Sequence, residues 1–256
     1  MIPDWLIWTY AGVVGAAIGS FLNVCIYRLP EGLSVISPRS RCSDCGLQIG
    51  WRDNIPIVSW LLLRGRCRGC RTGISIQYPL VELATALLWV AAAVRYGFSW
   101  QTLTVAVFLT LLLGIALTDA RTYTIPDEFS LGGLVLGLAL AFAPGGLTPV
   151  QSIAGAALGF GLLYLAGALG EWWLKKPAMG GGDIKMMAMV GAFLGPIGAV
   201  LTIFLGALVG TIIFLPLTLR TNKLVPFGIF LAVGAAVTEA WGGAIVDWYR
   251  VNMLGL

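Results

Sequence analysis

Apolar stretches of about 20 residues recur along most of the chain and constrain its fold more than any other feature. Each such stretch is long enough to cross the hydrocarbon core of a bilayer as an α-helix. Hydrophobic residues make up 58% of the 256 residues, and charged residues only 11%. A large soluble core is a poor explanation for uncharged stretches rich in Gly and Ala. The sequence therefore predicts an all-α polytopic membrane protein.

The apolar pattern predicts about eight transmembrane helices. Their ranges are 5–27, 79–96, 101–118, 130–143, 150–171, 185–195, 197–219 and 227–246. Several are shorter than the ~20-residue norm, and 185–195 is the shortest. The first stretch has no basic segment before it and contains Asn23, so we expect a retained span and not a cleaved signal. Small residues recur at 155–167 and 191–210, which predicts close helix packing there.

The basic residues are distributed unevenly between the two sides that eight spans would create. One side carries only Arg95 and Arg250. The other side carries the remaining fourteen: Arg28, Arg39, Arg41, Arg52, Arg64, Arg66, Arg68, Arg71, Arg121, Lys175, Lys176, Lys185, Arg220 and Lys223. Because cytoplasmic loops are enriched in Lys and Arg, this bias predicts outside termini and a cytoplasmic segment 28–78. The charge is thus explained by topology beside a lipid bilayer, and no nucleic-acid partner is predicted.

Residues 28–78 are polar and basic and hold four of the five cysteines in two Cys-x-x-Cys pairs. The pairs are Cys42 with Cys45 and Cys67 with Cys70, and 21 residues separate them. Four thiolates in this arrangement match a structural zinc site, although the separation is slightly longer than usual. A closed site leaves no position for an activated water, so zinc is expected to fold a small zinc-ribbon-like subdomain. Disulfides fit a reducing cytoplasm poorly, and a redox role for one pair leaves the other unexplained.

Two aspartates at the ends of predicted spans are the candidate catalytic residues. Asp119 ends an apolar stretch, and Asp183 follows three glycines in the run Gly-Gly-Gly-Asp-Ile-Lys at 180–185. An ionisable group at a membrane boundary is costly to desolvate and is a functional-site hypothesis by default. The chain has no histidine. Two carboxylates could instead supply both the base that activates a water and the acid that protonates a carbonyl.

The same residues have simpler explanations that stay open at this point. A polar residue that ends a helix is the alternative for Asp119, and a helix N-cap is the alternative for Asp183. Asp127 and Glu128 lie in the same loop as Asp119 and are rival acids. Lys185 is predicted to be an anchor whose charged end extends to the membrane surface.

An ordered set of motifs across nearly the whole chain resembles the bacterial prepilin peptidases. The N-terminal motifs are Gly-Ser-Phe-Leu-Asn-Val-Cys-Ile-Tyr-Arg-Leu-Pro at 19–30, the two cysteine pairs, Asn-Ile-Pro-Ile-Val-Ser-Trp-Leu at 54–61 and Tyr-Pro-Leu-Val-Glu at 78–82. The remaining motifs are Asp119 with Ile-Pro-Asp at 125–127, Gly-Gly-Gly-Asp-Ile-Lys at 180–185 and Val-Pro-Phe-Gly at 225–228.

The resemblance implies an integral inner-membrane aspartic endopeptidase of the Gly-x-Gly-Asp type. Such enzymes remove the basic leader of type IV prepilins or type II secretion pseudopilins at the cytoplasmic face. The resemblance makes Asp119 and Asp183 the catalytic pair, and it makes the zinc ligands Cys42, Cys45, Cys67 and Cys70. Many members also methylate the new N-terminal amine with S-adenosylmethionine, for which the sequence identifies no binding residues.

The sequence predicts three parts: a first transmembrane helix at 1–27, a cytoplasmic zinc subdomain at 28–78 and a transmembrane peptidase bundle at 79–256. Two other functions compete with the peptidase. A proton- or ion-coupled transporter would need carboxylates near mid-membrane, whereas both candidates lie at span ends. A non-catalytic scaffold that recruits a partner through its zinc module would explain the cysteines but gives the aspartates no task.

Overall fold

The computed structural model describes residues 3–176, 178–218 and 226–255, without the side chains of 214–218. The predicted span 197–219 therefore ends one residue outside the described part. Three residues used in the charge count or the motifs, Arg220, Lys223 and Val225, also lie outside it. The described residues contain helices and no β-strand beyond two isolated bridges.

Eight α-helices occur within these described ranges. They are α1 (Asp4–Arg28), α2 (Val58–Leu62), α3 (Gln77–Tyr96), α4 (Trp100–Thr122), α5 (Asp127–Leu140), α6 (Pro149–Leu174), α7 (Gly181–Thr218) and α8 (Phe227–Tyr249). Six of the described helices are long and apolar enough to cross a membrane: α1, α3, α4, α6, α7 and α8. This confirms an all-helical, multi-pass protein. The predicted count of eight is not confirmed, because only six described helices are candidate spans: α5 has 14 residues, and the two helical segments of α7 that meet at Gly195 are counted as one.

The chain forms two compact units, Met1–Ala106 and Val107–Leu256, whose boundary falls within α4. In the first unit, α1 packs against α3 in the opposite direction. A Cβ placed on Gly15 would lie 2.9 Å from Cα of Ala86, and one on Gly19 would lie 2.8 Å from Cα of Glu82. Glycine is therefore needed at both positions for the two helices to approach this closely.

In the second unit, α7 is interrupted at Gly195, where φ is +71° and ψ is −176°. A glycine adopts this conformation without the penalty that a side chain brings. The halves on either side contact α6 in opposite orders: Gly155 lies against Gly191 and Gly195, and Gly159 lies against Met187 and Ala199. From Gly155 to Gly159 of α6, the contacted residue shifts from 191 back to 187 in the first half of α7. In the second half it shifts from 195 forward to 199. The two halves, α7a (181–194) and α7b (196–218), form a helical hairpin.

The neighbouring helices follow these two directions. α5 runs parallel to α7a, since Gly133 lies against Met189 and Gly137 against Phe193. α8 runs antiparallel to α7b, because Thr202 contacts Thr238 whereas Gly206, further along α7b, contacts Phe230 near the start of α8. The N-terminal ends of α5, α7a and α8 therefore lie at the same end of the second unit.

Candidate active site

Asp119 lies in the last turn of α4 and is only 5% exposed. The end of the helix is fixed locally. Tyr123 adopts a left-handed conformation with φ +55°, and its N–H donates to the carbonyl of Asp119 at 2.9 Å. The hydroxyl of Thr122 donates to the carbonyl of Thr118 at 2.9 Å. The aspartate is thus held on a rigid helix end and not on a free loop.

The carboxylate of Asp119 faces the N-terminus of α8, where the backbone N–H groups of Gly228 and Ile229 point toward it. Backbone N–H groups at a helix N-terminus lack partners within the helix and suit a negative group. Oδ2 of Asp119 is nevertheless buried and accepts no hydrogen bond from any residue that the structure describes. An acceptor of this kind is available to a water, a shared proton or a substrate.

Asp183 is half-buried at the third residue of α7, so the N-cap position expected in the simpler explanation belongs to Gly180 instead. Its carboxylate accepts a hydrogen bond from the backbone N–H of Gly180, as an acidic residue at the third helical position does in a capping box. The same carboxylate interacts electrostatically with Asp119. The structure therefore brings together two carboxylates that are 64 positions apart in the sequence.

Ile125 fills the space between the two helix N-termini that carry the site. A Cβ on Gly182 would lie 3.0 Å from Cβ of Ile125, and one on Gly228 would lie 2.9 Å from its Cδ1. The loop after Asp119 thus packs directly onto the first turns of both α7 and α8. Sequence reasoning did not assign Ile125 this role, although the two glycines that flank it were visible in the motifs.

The rival acid Asp127 forms an ion pair with Lys185. Nζ of Lys185 lies 2.7 and 2.9 Å from the two carboxylate oxygens of Asp127, and both side chains are exposed. Lys185 thus joins the first turn of α7 to the first turn of α5, in addition to any role at the membrane surface. Glu128 is exposed at the same helix end. Neither rival acid is buried as Asp119 is.

Four of the five cysteines in the first unit form one cluster, with all four sulfur atoms within 4.8 Å of one another: Cys42, Cys45, Cys67 and Cys70. Sγ of Cys42 lies 3.7 Å from that of Cys70, and Sγ of Cys45 lies 4.0 Å from that of Cys67. Tetrahedral coordination with zinc–sulfur bonds of about 2.3 Å puts neighbouring sulfurs about 3.8 Å apart. The donor set therefore fits a metal ion of this geometry.

The two cysteine turns repeat one backbone arrangement 25 residues apart. The N–H of Cys42 donates to the carbonyl of Leu47 at 2.9 Å, and the N–H of Cys67 donates to that of Thr72 at 2.8 Å. The residue after each pair is left-handed: Gly46 at φ +70° and Arg71 at φ +61°. Isolated bridges join Arg41 to Gln48 and Arg66 to Gly73. This repeat points four thiols at one centre.

A bidentate ion pair braces the second turn. Arg68 binds both carboxylate oxygens of Asp53 at 2.6 to 3.1 Å. The guanidinium holds the pKa of Asp53 below its usual value, because its hydrogen bonds favour the ionised carboxylate.

The family described as Bacterial Peptidase A24 N-terminal domain matches residues 13–96, and the Type IV leader peptidase family matches residues 106–215. The prepilin leader peptidase/N-methyltransferase of Aeromonas hydrophila is 35% identical, over 98% of this chain and 96% of its own length. The protein of the same name from Neisseria gonorrhoeae is 34% identical over 94% and 92%.

A third relative of that name, from Myxococcus xanthus, is 37% identical over 84% of this chain. The aligned part of this chain spans 64% of that relative's length. No solved structure matches the chain significantly. The motifs, the helical membrane fold and the relatives agree. The chain belongs to the type IV leader peptidase family and is a multi-pass membrane peptidase.

Proposed function

We propose that this enzyme removes the basic leader of type IV prepilins or type II secretion pseudopilins, with Asp119 and Asp183 as its catalytic pair. The relatives named prepilin leader peptidase/N-methyltransferase support the substrate class. The observation that carries the residue assignment is the electrostatic interaction between the two carboxylates, which lie at helix ends that Ile125 joins by packing on Gly182 and Gly228. In addition, Oδ2 of Asp119 is buried without a partner among the described residues.

In the proposed mechanism the two carboxylates share one proton, since like charges this close do not both ionise readily. The ionised carboxylate takes a proton from water, and the water oxygen attacks the carbonyl carbon of the scissile bond. The protonated carboxyl donates to the carbonyl oxygen. Collapse of the tetrahedral intermediate breaks the C–N bond. The leaving amine takes a proton from the carboxyl that received one from water, and one hydroxyl of the intermediate returns its proton to the other carboxylate. The N–H groups of Gly228 and Ile229 face this region and offset its negative charge.

Replacement of either aspartate tests the assignment. Asp119→Asn and Asp183→Asn should each lower the leader-cleavage rate at least ~10³-fold, and the double variant should be little worse than either single one. Asp127→Asn is the matched control, because its carboxylate is exposed and paired with Lys185. Cleavage of a purified prepilin in lipid nanodiscs is followed by mass spectrometry. Normal processing by either single variant, or loss of activity in Asp127→Asn alone, would overturn the assignment.

We also propose eight passes through the inner membrane, with outside termini and the aspartates facing the cytoplasm. The hairpin at Gly195 supports this count, because α7a and α7b run in opposite directions. The parallel course of α5 and α7a supports α5 as a further short pass. In intact cells, a membrane-impermeant maleimide should label Ile197→Cys from outside and should not label Ser37→Cys. Protection of Ile197→Cys from both sides would argue for a single continuous α7 and against eight passes.

The same proposal keeps the three predicted parts, 1–27, 28–78 and 79–256, with a structural zinc ion on the four cysteines. It includes N-methylation of the new N-terminal amine with S-adenosylmethionine, an activity that the relatives' name contains. The transporter alternative is disfavoured, because both aspartates lie at helix ends. The scaffold alternative would not require two carboxylates to meet.

A further inference from the structure

The short helix α2, in the segment that carries the cysteines, has three large aliphatic side chains on its surface. Val58, Leu61 and Leu62 are 47%, 61% and 78% exposed. Residues three and four positions apart share one side of a helix, so these three form a single apolar face of α2. Scattered apolar residues on a surface are ordinary, whereas a cluster on one side indicates contact with a partner or a membrane. Peptide-bond cleavage and metal binding leave this face without a task.

The opposite side of α2 is fixed to the rest of the first unit. The buried hydroxyl of Ser59 donates to the carbonyl of Arg52 at 2.8 Å and accepts from the N–H of Ile55 at 3.0 Å. Nε1 of Trp60 donates to the carbonyl of Ile74 at 3.1 Å. The helix cannot turn its apolar face inward without breaking these hydrogen bonds. The exposure of the apolar face is therefore imposed by the fold.

A strained turn at Ile57 sets the direction in which α2 starts. Ile57 has φ +63° and ψ −52°, and the N–H of Val58 donates to the carbonyl of Pro56 at 2.6 Å. This is a γ-turn of the rare, strained kind, with a β-branched residue at its centre. The N–H of Ile57 donates to Oε2 of the buried Glu82 of α3 at 2.7 Å. Such strain persists only where the surroundings hold the backbone, so the bond to α3 fixes where α2 begins.

The bond to Glu82 also places the start of α2 at a particular level of a membrane helix. α3 is one of the described helices that are long and apolar enough to cross a bilayer. Its exposed large aliphatic residues follow one side of the helix at steps of three, four and seven positions: Leu80, Leu83, Leu87 and Val94. Glu82 lies between the first two members of this lipid-facing stripe. The start of α2 therefore lies beside the end of an apolar span, where hydrocarbon gives way to headgroups.

The segment around α2 is strongly basic. Residues 28–78 contain eight arginines and three acidic residues, so their net charge stays positive when four thiolates and a divalent metal ion are counted. Arg64 and Arg66 follow α2 directly, and both are exposed. The guanidinium of Arg52 lies 5.2 Å from the ring centroid of the exposed Trp51. Tryptophan concentrates at the boundary between membrane and water, and anionic lipids attract arginines near that boundary.

We propose that the apolar face of α2 inserts into an anionic lipid leaflet and holds the cysteine-bearing segment against the membrane surface. Its aliphatic side chains enter the boundary between headgroups and hydrocarbon, and Arg64 and Arg66 contact lipid phosphates. Because α2 has only five residues, it contacts one leaflet and is not a further pass. A basic prepilin leader is a poor occupant of this face, since the arginines would repel it. Only the identity of the leaflet, the cytoplasmic one, rests on the proposed topology.

Photo-crosslinking tests the contact with lipid. The photoreactive residue p-benzoylphenylalanine is placed at Leu62 of the full, zinc-loaded chain, or at Leu87 as a lipid-exposed control, in liposomes of phosphatidylglycerol and phosphatidylethanolamine. Mass spectrometry of the crosslinked peptides should show lipid adducts at both positions. Metal content and the unfolding temperature establish that both chains are folded. Lipid adducts at Leu87 alone would overturn the proposal. Crosslinks from Leu62 to a second copy of the chain, in place of lipid, would assign the apolar face to self-association and overturn it as well.

Hydrogen exchange tests the contribution of charge without an added apolar group. The backbone amides of α2 should exchange more slowly in phosphatidylglycerol liposomes than in phosphatidylcholine liposomes. An arginine near an anionic surface strengthens binding about fivefold, so Arg64→Gln should reduce this slowing about fivefold. Arg39→Gln is the matched control, because Arg39 is an exposed arginine of the same segment outside α2. Equal exchange in the two kinds of liposome, or equal effects of the two variants, would refute the contact with anionic lipid.

A polar replacement on the apolar face completes the test in the same liposomes. Burial of one leucine side chain strengthens binding about tenfold or more, so Leu62→Asn should weaken the slowing of exchange by at least that factor. Ile36→Asn is the matched control, because Ile36 is exposed in the same segment and lies outside α2. Equal slowing in both variants would contradict insertion. None of these measurements uses leader cleavage, so the inference can fail while the peptidase stands. If Ser37→Cys is labelled from outside the cell, the proposed topology fails, and the crosslinks still decide whether α2 contacts lipid.

Discussion

Gly228→Ala should slow leader cleavage by between about 10-fold and 100-fold. The added Cβ would lie 2.8 Å from Oδ2 of Asp119 and 2.9 Å from Cδ1 of Ile125, and real Cβ atoms essentially never approach that closely. Ordinary contact begins near 3.4 Å, so the carboxylate must withdraw by about 0.6 Å. A misplacement of about 1 Å can cost on the order of 10²-fold in rate, which sets the expected loss.

The assay compares initial rates of leader removal at saturating prepilin, with equal amounts of inserted enzyme in nanodiscs. Gly243→Ala is the matched control, because it lies on the same helix and a Cβ there meets no atom within 4 Å. The loss should fall on kcat, since the added atom displaces a reacting group and not a surface that binds the apolar substrate helix. The unfolding temperature of each variant separates a displaced carboxylate from an unfolded protein. Equal rates for Gly228→Ala and Gly243→Ala would refute the close contact between α8 and Asp119.

Three further predictions concern stability and metal binding. Gly191→Ala should lower the stability of the second unit by about 1–3 kcal/mol, because its Cβ would meet the backbone of α6. The control Gly161→Ala places its Cβ in open space and should leave the stability unchanged. Thermal unfolding in detergent measures both variants. Cys67→Ser should lose the proposed zinc ion and Cys25→Ser should keep it, as metal analysis of the purified variants would establish. The pKa of Asp53 is lowered on folding, so its stabilising contribution is present above its usual value of 3.8 and is lost as the pH falls through the lowered value. Asp53→Asn should therefore flatten the pH dependence of the unfolding temperature of the first unit as the pH falls below about 4, and an unchanged slope would contradict the ion pair.

The helices were predictable because a membrane span is a long apolar stretch, which is a local property of the sequence. The break between the predicted spans 185–195 and 197–219 coincides with the non-helical Gly195. The reversal of direction at that residue was not predictable from composition. A glycine permits a positive φ but does not require one, so the sequence does not show which glycine adopts it. Only the contacts with α6 reveal the hairpin.

The residues of the proposed site stand out in the sequence, whereas their geometry does not. Asp119 and Asp183 stand out because carboxylates are rare in an apolar chain. Their meeting depends on the packing of α5, α7 and α8, which is long-range information. The ion pair between Lys185 and Asp127 joins residues 58 apart and has no local signal. Asn23 was visible as a polar residue within a span, but the burial of its Oδ1, which accepts no hydrogen bond from the described residues, follows only from the packing of α3 beside it.

The neighbouring helix α6 gives the level of the proposed catalytic pair within the second unit. Gly167 of α6 lies against Met179 and Ile184, so Asp183 is level with a point about five residues before Trp172 and Trp173. Both tryptophans are exposed, and tryptophan concentrates at the boundary between membrane and water. Along α6, about five residues at 1.5 Å each make an axial separation of about 8 Å between this level and the two tryptophans. Asp119 is itself shielded from bulk water, since only 5% of its surface is exposed. In the proposed substrate, a basic leader meets an apolar helix near the membrane surface. A carboxylate pair at the helix ends would then favour cleavage of the peptide bond at that junction.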